Sequence, residues 1–165
     1  MGSSPDRLDA LQRGLIEAFF ARTQRFFLTG GAALTGFYLR HRTTKDLDLF
    51  APPEVSMQEN HFGAVVVDPM REIAANKVGA LLDRFEARDL VDLKLLLGAG
   101  LTLSEVLQDA QQKHAGADPA TLAWVLGTWR IPPTAALPED TTAAEIEAFR
   151  DDLVRQLALL ALPKE

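Results

Sequence analysis

The sequence predicts an α+β chain, with a short sheet and helices over residues 1–70 and an all-helical region over 71–165. Three observations carry this reading. Each stretch with the apolar or alternating pattern of a strand (26–28, 46–49 and 64–67) falls before residue 70. Beyond it, apolar residues recur at helical spacing. The breaks between those helices carry Gly98, Gly100, Pro119 and Pro132-Pro133. A chain of 165 residues is long enough to bury one real core.

The first helix opens on Ser4-Pro5, an N-cap followed by proline at the first helical position. Leu8, Leu11, Leu15, Ile16, Phe19 and Phe20 give it one apolar stripe. Phe26, Phe27 and Leu28 form a buried strand that ends at the turn Thr29-Gly30-Gly31. A helix follows over 32–40, then a polar connector over 41–45. Leu47 and Leu49 alternate with Asp46 and Asp48, so this strand has one apolar face and one face presenting both carboxylates. Residues 51–63, with Pro52-Pro53, read as loop, and 64–67 as a third strand. Asp68-Pro69 caps a helix whose stripe is Ala74, Val78, Leu81, Leu82 and Phe85. Further helices are expected over 89–97, 101–113, from Asp118-Pro119 through Trp124 and Trp129, and over 145–160. Trp124 and Trp129 read as core or interface anchors.

Composition narrows the chemistry. There is no cysteine, which removes disulfides, thiolate metal sites and cysteine nucleophiles. The three histidines, His41, His61 and His114, lack metal-ligand spacing. A formal net charge of -6 argues against nonspecific coating of nucleic acid. No apolar run approaches a membrane span and no signal peptide opens the chain, so no membrane partner and a cytoplasmic location are expected.

Asp46 and Asp48 are the first chemical signal. Two carboxylates on one strand face repel each other, and a divalent cation relieves that repulsion. Mg²⁺ held by such a pair suits phosphoryl or nucleotidyl transfer. Taken alone, the pair is more often the solvated face of a strand. Gly30-Gly31 is the second signal, because bare backbone between a strand and a helix lets phosphate approach. Strand, Gly-Gly, helix, connector and Asp-x-Asp strand form a specific order.

The stretch from Phe27-Leu-Thr-Gly-Gly-Ala-Ala-Leu to Arg42-Thr-Thr-Lys-Asp-Leu-Asp-Leu-Phe50 resembles the first two motifs of the AbiEii-type nucleotidyltransferase toxins. Glu72-Ile-Ala-Ala-Asn-Lys77, Ala80-Leu81, Arg84 and Arg88-Asp89-Leu-Val-Asp92 resemble their remaining motifs. The resemblance implies a small polymerase-beta-like core with a short mixed sheet and a helical C-terminal part. It implies Mg²⁺-dependent transfer of a nucleotide from an NTP, to tRNA or another RNA in some relatives, with a cognate antitoxin and a place in phage defence. By the same resemblance Asp46 and Asp48 hold metal, Gly30, Gly31 and Thr44 bind the nucleotide, Lys77 contacts the triphosphate and Asp89 supports the site.

The residues themselves add a cationic stripe. If 74–88 is one helix, Lys77, Arg84 and Arg88 share a face suited to triphosphate or RNA. The same residues also fit a solvated face paired with Asp83 and Glu86, and Asp89 and Asp92 fit an N-cap and a first helical turn. Only 28 residues separate Asp48 from Lys77, and their acids are Glu54, Glu59, Asp68 and Glu72. No third carboxylate is expected within metal-sharing reach of Asp46 and Asp48. The alternatives to an active transferase are a catalytically degenerate nucleotide-binding or protein-interaction member of the fold, and a plain helical interaction domain.

Overall fold

A computed structural model describes residues 7–51, 60–138 and 140–163. The chain divides into two compact units, Met1–Ile73 and Ala74–Glu165. The class is α+β: among the described residues strands occur only in the first unit, and helices make up the second.

In the first unit, helix α1 (Ala10–Phe20) starts at Asp9, whose carboxylate accepts from Gln12 N (2.7 Å) while Gln12 Oε1 accepts from Asp9 N (3.0 Å). This capping box satisfies two backbone donors reciprocally. Ser4 and Pro5 lie outside the described residues. The buried stripe is Leu8, Gln12, Ile16 and Phe20, a strict i, i+4 row, whereas Leu11 and Leu15 face solvent at 71% and 53% exposure. The broader stripe read from the sequence is therefore corrected: apolar spacing fits two overlapping faces, and only the one toward the sheet is buried.

Strand β1 (Phe27–Thr29) is followed by helix α2 (Gly30–Ala33), which runs on as a π-helical segment, Leu34–Tyr38. Strands β2 (Asp48–Phe50), β3 (Asn60–Phe62) and β4 (Val65–Val67) complete a sheet of order β2-β1-β4-β3. It is mixed: β1 pairs antiparallel with β2 and parallel with β4, and β3 pairs antiparallel with β4. The central β1 and β4 are buried throughout, as their continuous apolar runs require. β3 is a strand where a loop was expected; Asn60-His61-Phe62 is exposed and lacks apolar alternation, so its pairing to β4 carries it. Gly63, at φ 64°, begins the two-residue turn of that hairpin, where a positive φ is needed. Residues 52–59 lie outside the described residues, so Glu54 and Glu59 do too.

Helix α3 (Met70–Asp83) enters the second unit, which holds α4 (Ala87–Gly98), α5 (Leu103–Lys113), α6 (Pro119–Thr128) and α7 (Ala143–Leu160). Leu90, Leu93, Leu96, Val106, Leu122, Leu126, Ile146 and Leu157 are its buried core, with α6 packed on α7. Asp118, Thr102 and Thr142 cap three of these helices through their side chains. The segment between α6 and α7 is held by Arg150, whose Nη1 donates to the Trp129 carbonyl at 2.9 Å. Trp129 stacks obliquely with Phe85, while Trp124 stands 70% exposed and is not a core anchor. No described helix is long and apolar enough to cross a membrane.

Candidate active site

β1 ends at Thr29, directly opposite Asp48 of β2, so the two side chains leave the same face of the sheet. Immediately after Thr29 the chain turns through Gly30 at φ 64°. That backbone is strained for any residue with a side chain. Space forbids one as well, because a β-carbon at Gly30 would collide with the Asp48 carboxylate. A β-carbon at Gly31 would fall 2.9 Å from Arg42 Nη2 and 3.2 Å from Thr44 Oγ1. The glycine pair is thus the point on which Asp48, Arg42 and Thr44 converge.

The connector carrying Arg42 and Thr44 is pinned from α1. Gln12, buried in that helix, donates through Nε2 to the Thr44 carbonyl at 2.9 Å. Asp48 is exposed on β2, and Asp46 is exposed too but precedes the strand. The expectation of two acids on one strand is corrected on this point: pairing with β1 begins at Asp48, opposite Thr29, and Asp46 lies before the paired register.

Asp68 arrives at the same end of the sheet from β4. Its backbone N–H donates to the Leu28 carbonyl (2.8 Å), and its Oδ2 accepts from Thr29 Oγ1 at 2.6 Å. The carboxylate read as a helix cap is therefore engaged with β1. It is 2% exposed and two strands from Asp48, a backbone separation of about 9.5 Å at ordinary strand spacing. Tyr38, at the end of the π-helical segment, donates to the Asp68 carbonyl (3.0 Å) and accepts from Asn60 Nδ2 (2.9 Å). Burial pushes the Tyr38 phenol above its ordinary pKa; the Asn60 hydrogen bond opposes this and the Asp68 charge adds to it.

The second unit holds a different cluster. Lys77 of α3 is buried, and its Nζ lies 2.7 Å from Asp89 Oδ1 and 2.7 Å from Asp92 Oδ2. Both acids are fully buried on α4, and Arg84 adds contacts to Asp89 at 2.9 and 3.0 Å. Two cations and two anions balance, which is the condition for burying them. The single cationic stripe is not formed. α3 stops at Asp83, Phe85 takes φ 51°, and α4 starts anew at Ala87. Arg88 instead contacts Glu86, and Asp89 and Asp92 sit inside α4, whose N-cap is Glu86. A left-handed residue interrupts helical register, and the sequence Arg84-Phe85-Glu86 contains no glycine or proline to announce it.

Among the described residues no group of three or more His, Cys, Asp or Glu side chains is arranged to hold a metal ion. The exposed carboxylates of Asp46 and Asp48 are hard oxygen donors of the kind Mg²⁺ takes.

The model of the family described as nucleotidyl transferase AbiEii toxin, type IV TA system, matches residues 52–161, two thirds of the chain. The chain belongs to the AbiEii family. No curated protein and no solved structure matches it. The AbiEii match covers β3, β4 and all helices from α3 onward, and so includes the Lys77–Asp89–Asp92 cluster. It starts after Asp48, so the glycine turn and Asp-x-Asp stretch of this AbiEii chain stand on motif and geometry. Three residues at that turn were not singled out from the sequence: Thr29, Arg42 and, as more than a cap, Asp68. Arg42 lies in a connector with no periodicity. The register that joins Thr29 to Asp48 and to Asp68 comes from strands distant in sequence.

Proposed function

We propose that this AbiEii chain transfers a nucleotide from an NTP to an RNA acceptor, tRNA being the leading class, and that the transfer depends on Mg²⁺. The observation that carries this is the Asp48 carboxylate lying against Gly30, opposite Thr29, with Arg42 and Thr44 beside Gly31. A carboxylate and cationic and hydroxyl donors on consecutive bare glycines suit a metal-bound triphosphate. Asp46 and Asp48 would hold Mg²⁺, which supplies charge neutralisation at the phosphates when bound. In the reaction the acceptor hydroxyl oxygen bonds to the α-phosphorus and the bond from that phosphorus to the β-side bridging oxygen breaks. Pyrophosphate leaves with the electron pair, and the hydroxyl proton passes to solvent.

The protein's part is positioning. Gln12 holds the connector, the connector holds Arg42 and Thr44, and β1 sets Asp48 beside the turn. Asp68 would brace Thr29 from the far side. Lys77 would act through its ion cluster, with Asp89 supporting it. Arg84 and Arg88 are partly exposed and would meet phosphate or RNA backbone. An antitoxin encoded as the toxin's counterpart is the expected regulator. The test is incubation of the chain with each labelled NTP, Mg²⁺ and total RNA. Label in RNA supports the reading. Absence of label with all four NTPs, with the chain folded, sinks it in favour of a nucleotide-binding or protein-interaction role.

A further inference from the structure

The second unit carries a cavity of about 340 Å³, lined by Phe85, Glu86 and Arg88 from the start of α4 and by Pro132, Ala135 and Ala136 from the connector between α6 and α7. Phe85 takes φ 51°, a left-handed conformation that disfavours a bulky side chain, and it is 41% exposed. Glycine or asparagine fits such a backbone at less cost, so chain geometry alone does not explain an aromatic ring here. Trp129 lies against that ring, with centroids 6.2 Å apart. The connector is fixed before any ligand arrives. Arg150 holds the Trp129 carbonyl at 2.9 Å, Ile131 is buried, and Ala135 N donates to the Pro132 carbonyl at 2.9 Å. Such preorganisation reduces the ordering cost of binding. Two arginines flank these aromatic rings in a chain of net charge -6. Arg88 contacts Glu86 at the cavity, and Arg130 donates to the Trp129 carbonyl at 3.3 Å. Glu86 is the N-cap of α4 but makes no side-chain cap hydrogen bond, so the start of that helix keeps its preference for an anion.

We propose that this cavity takes one nucleotide, with its base between Phe85 and the connector wall and its phosphate at Arg88 and the first turn of α4. The ligand chemistry is a flat base bearing a phosphate, either free or as an unpaired residue of RNA. Ligand cavities start at roughly 300 Å³, so this one matches a single nucleotide and not a run of them. An aromatic ring stacks on any base, and a guanidinium presents a planar fork to phosphate oxygens. Arg88 by itself meets only a phosphate; Phe85 and the connector add recognition of the base. The cavity is built from other residues than the glycine turn and holds no Asp-x-Asp pair, so it fills without Mg²⁺ and whether or not the turn takes an NTP.

The experiment is calorimetric titration of the full chain in EDTA with AMP, adenosine, ribose 5-phosphate and single-stranded hexa-adenylate. Wild type is expected to bind AMP more tightly than either adenosine or ribose 5-phosphate. Phe85→Gly, which suits the left-handed backbone and removes the ring, should weaken AMP binding about tenfold. Ala136→Leu fills the cavity, keeps every charged group and should weaken it as well. Arg88→Gln should weaken AMP and leave adenosine unchanged. Thermal melts by circular dichroism establish that each variant is folded. Hexa-adenylate bound more tightly than AMP supports the site with an RNA residue as its ligand, and equal affinities support it with a free nucleotide. Ribose 5-phosphate bound as tightly as AMP overturns the base pocket. So does AMP binding that survives both Phe85→Gly and Ala136→Leu but is lost in Gly30→Ala, since the ligand then sits at the glycine turn. No binding of AMP or hexa-adenylate by wild type overturns the proposal outright, and Mg²⁺-dependent labelling of RNA from NTP remains a separate test of the transfer reading.

Discussion

Lys77 shows how position changes the meaning of a residue. Its charge on a helix suggests a solvent-facing grip on phosphate, yet it is buried between Asp89 and Asp92. Lys77→Ala removes the cation that lies 2.7 Å from each of two fully buried carboxylates. It is expected to lower stability by about 3–5 kcal/mol, read from urea unfolding. A loss below about 1 kcal/mol would mean that the cluster is solvated. Asp48 is the contrasting case, exposed and against Gly30. Asp48→Asn is expected to abolish transfer while leaving the melting temperature within a degree or so of wild type, since surface substitutions at exposed side chains change stability by only about 0.5 kcal/mol. Wild-type turnover in that variant would remove Asp48 from the reaction. Gly30→Ala combines a positive φ with a collision against Asp48, so it should cost more than about 1 kcal/mol and lower transfer as well.

Elements here depend on their ends. α6 starts at Asp118, whose carboxylate is held below the usual carboxylate pKa by hydrogen bonds from the Thr121 side chain and from Thr121 N, the latter at 3.0 Å. A depressed folded pKa stabilises the fold above the unfolded value and loses that contribution as pH falls through the folded one. Melting temperatures from pH 7 down to pH 3 should therefore fall less steeply in Asp118→Asn, which caps without a charge. Asp118→Ala should cost about 1 kcal/mol at pH 7. Tyr38 has the opposite sign. Its raised pKa means that the neutral phenol is favoured in the fold, so its contribution is complete below the unfolded value near 10.0 and is lost as pH rises beyond it. Tyr38→Phe should flatten the alkaline limb of stability between pH 9 and 11 in a melting series. An unchanged limb would mean that burial does not favour the neutral Tyr38 phenol in the fold.

At the level of the whole molecule, the chain carries its sheet chemistry in Met1–Ile73 and its buried ion cluster in Ala74–Glu165. Membership of a toxin family leads to a cellular expectation. Overexpression in bacteria should arrest growth, and Asp48→Asn should relieve the arrest at equal soluble yield. Harmless accumulation of the wild-type chain would favour the non-catalytic reading. The same assay with Arg42→Gln should give partial relief, because weakened polyphosphate binding is offset in part by cellular NTP concentrations.

What the amino-acid order determined alone is what neighbours within a few residues decide. The division into a strand-bearing first part and a helical second part was legible, as were β1, β4, the glycine turn, the start of α6 at Asp118 and the stop of α4 at Gly98. Each depends on periodicity, a cap or a special φ, all of which are local. Tertiary structure alone decided the rest. Parallel pairing of β1 with β4 brings Asp68 to Thr29, 39 positions away, and antiparallel pairing brings Asp48 to Thr29 from the other side. β3 exists through its partner, Leu11 and Leu15 are exposed because α1 buries its other face, and the left-handed Phe85 follows the end of α3 at Asp83, so that Arg88 belongs to α4 and not to the helix of Lys77. Burial and register are set by contacts across long sequence separations, and periodicity carries no information about which of two compatible faces or partners wins.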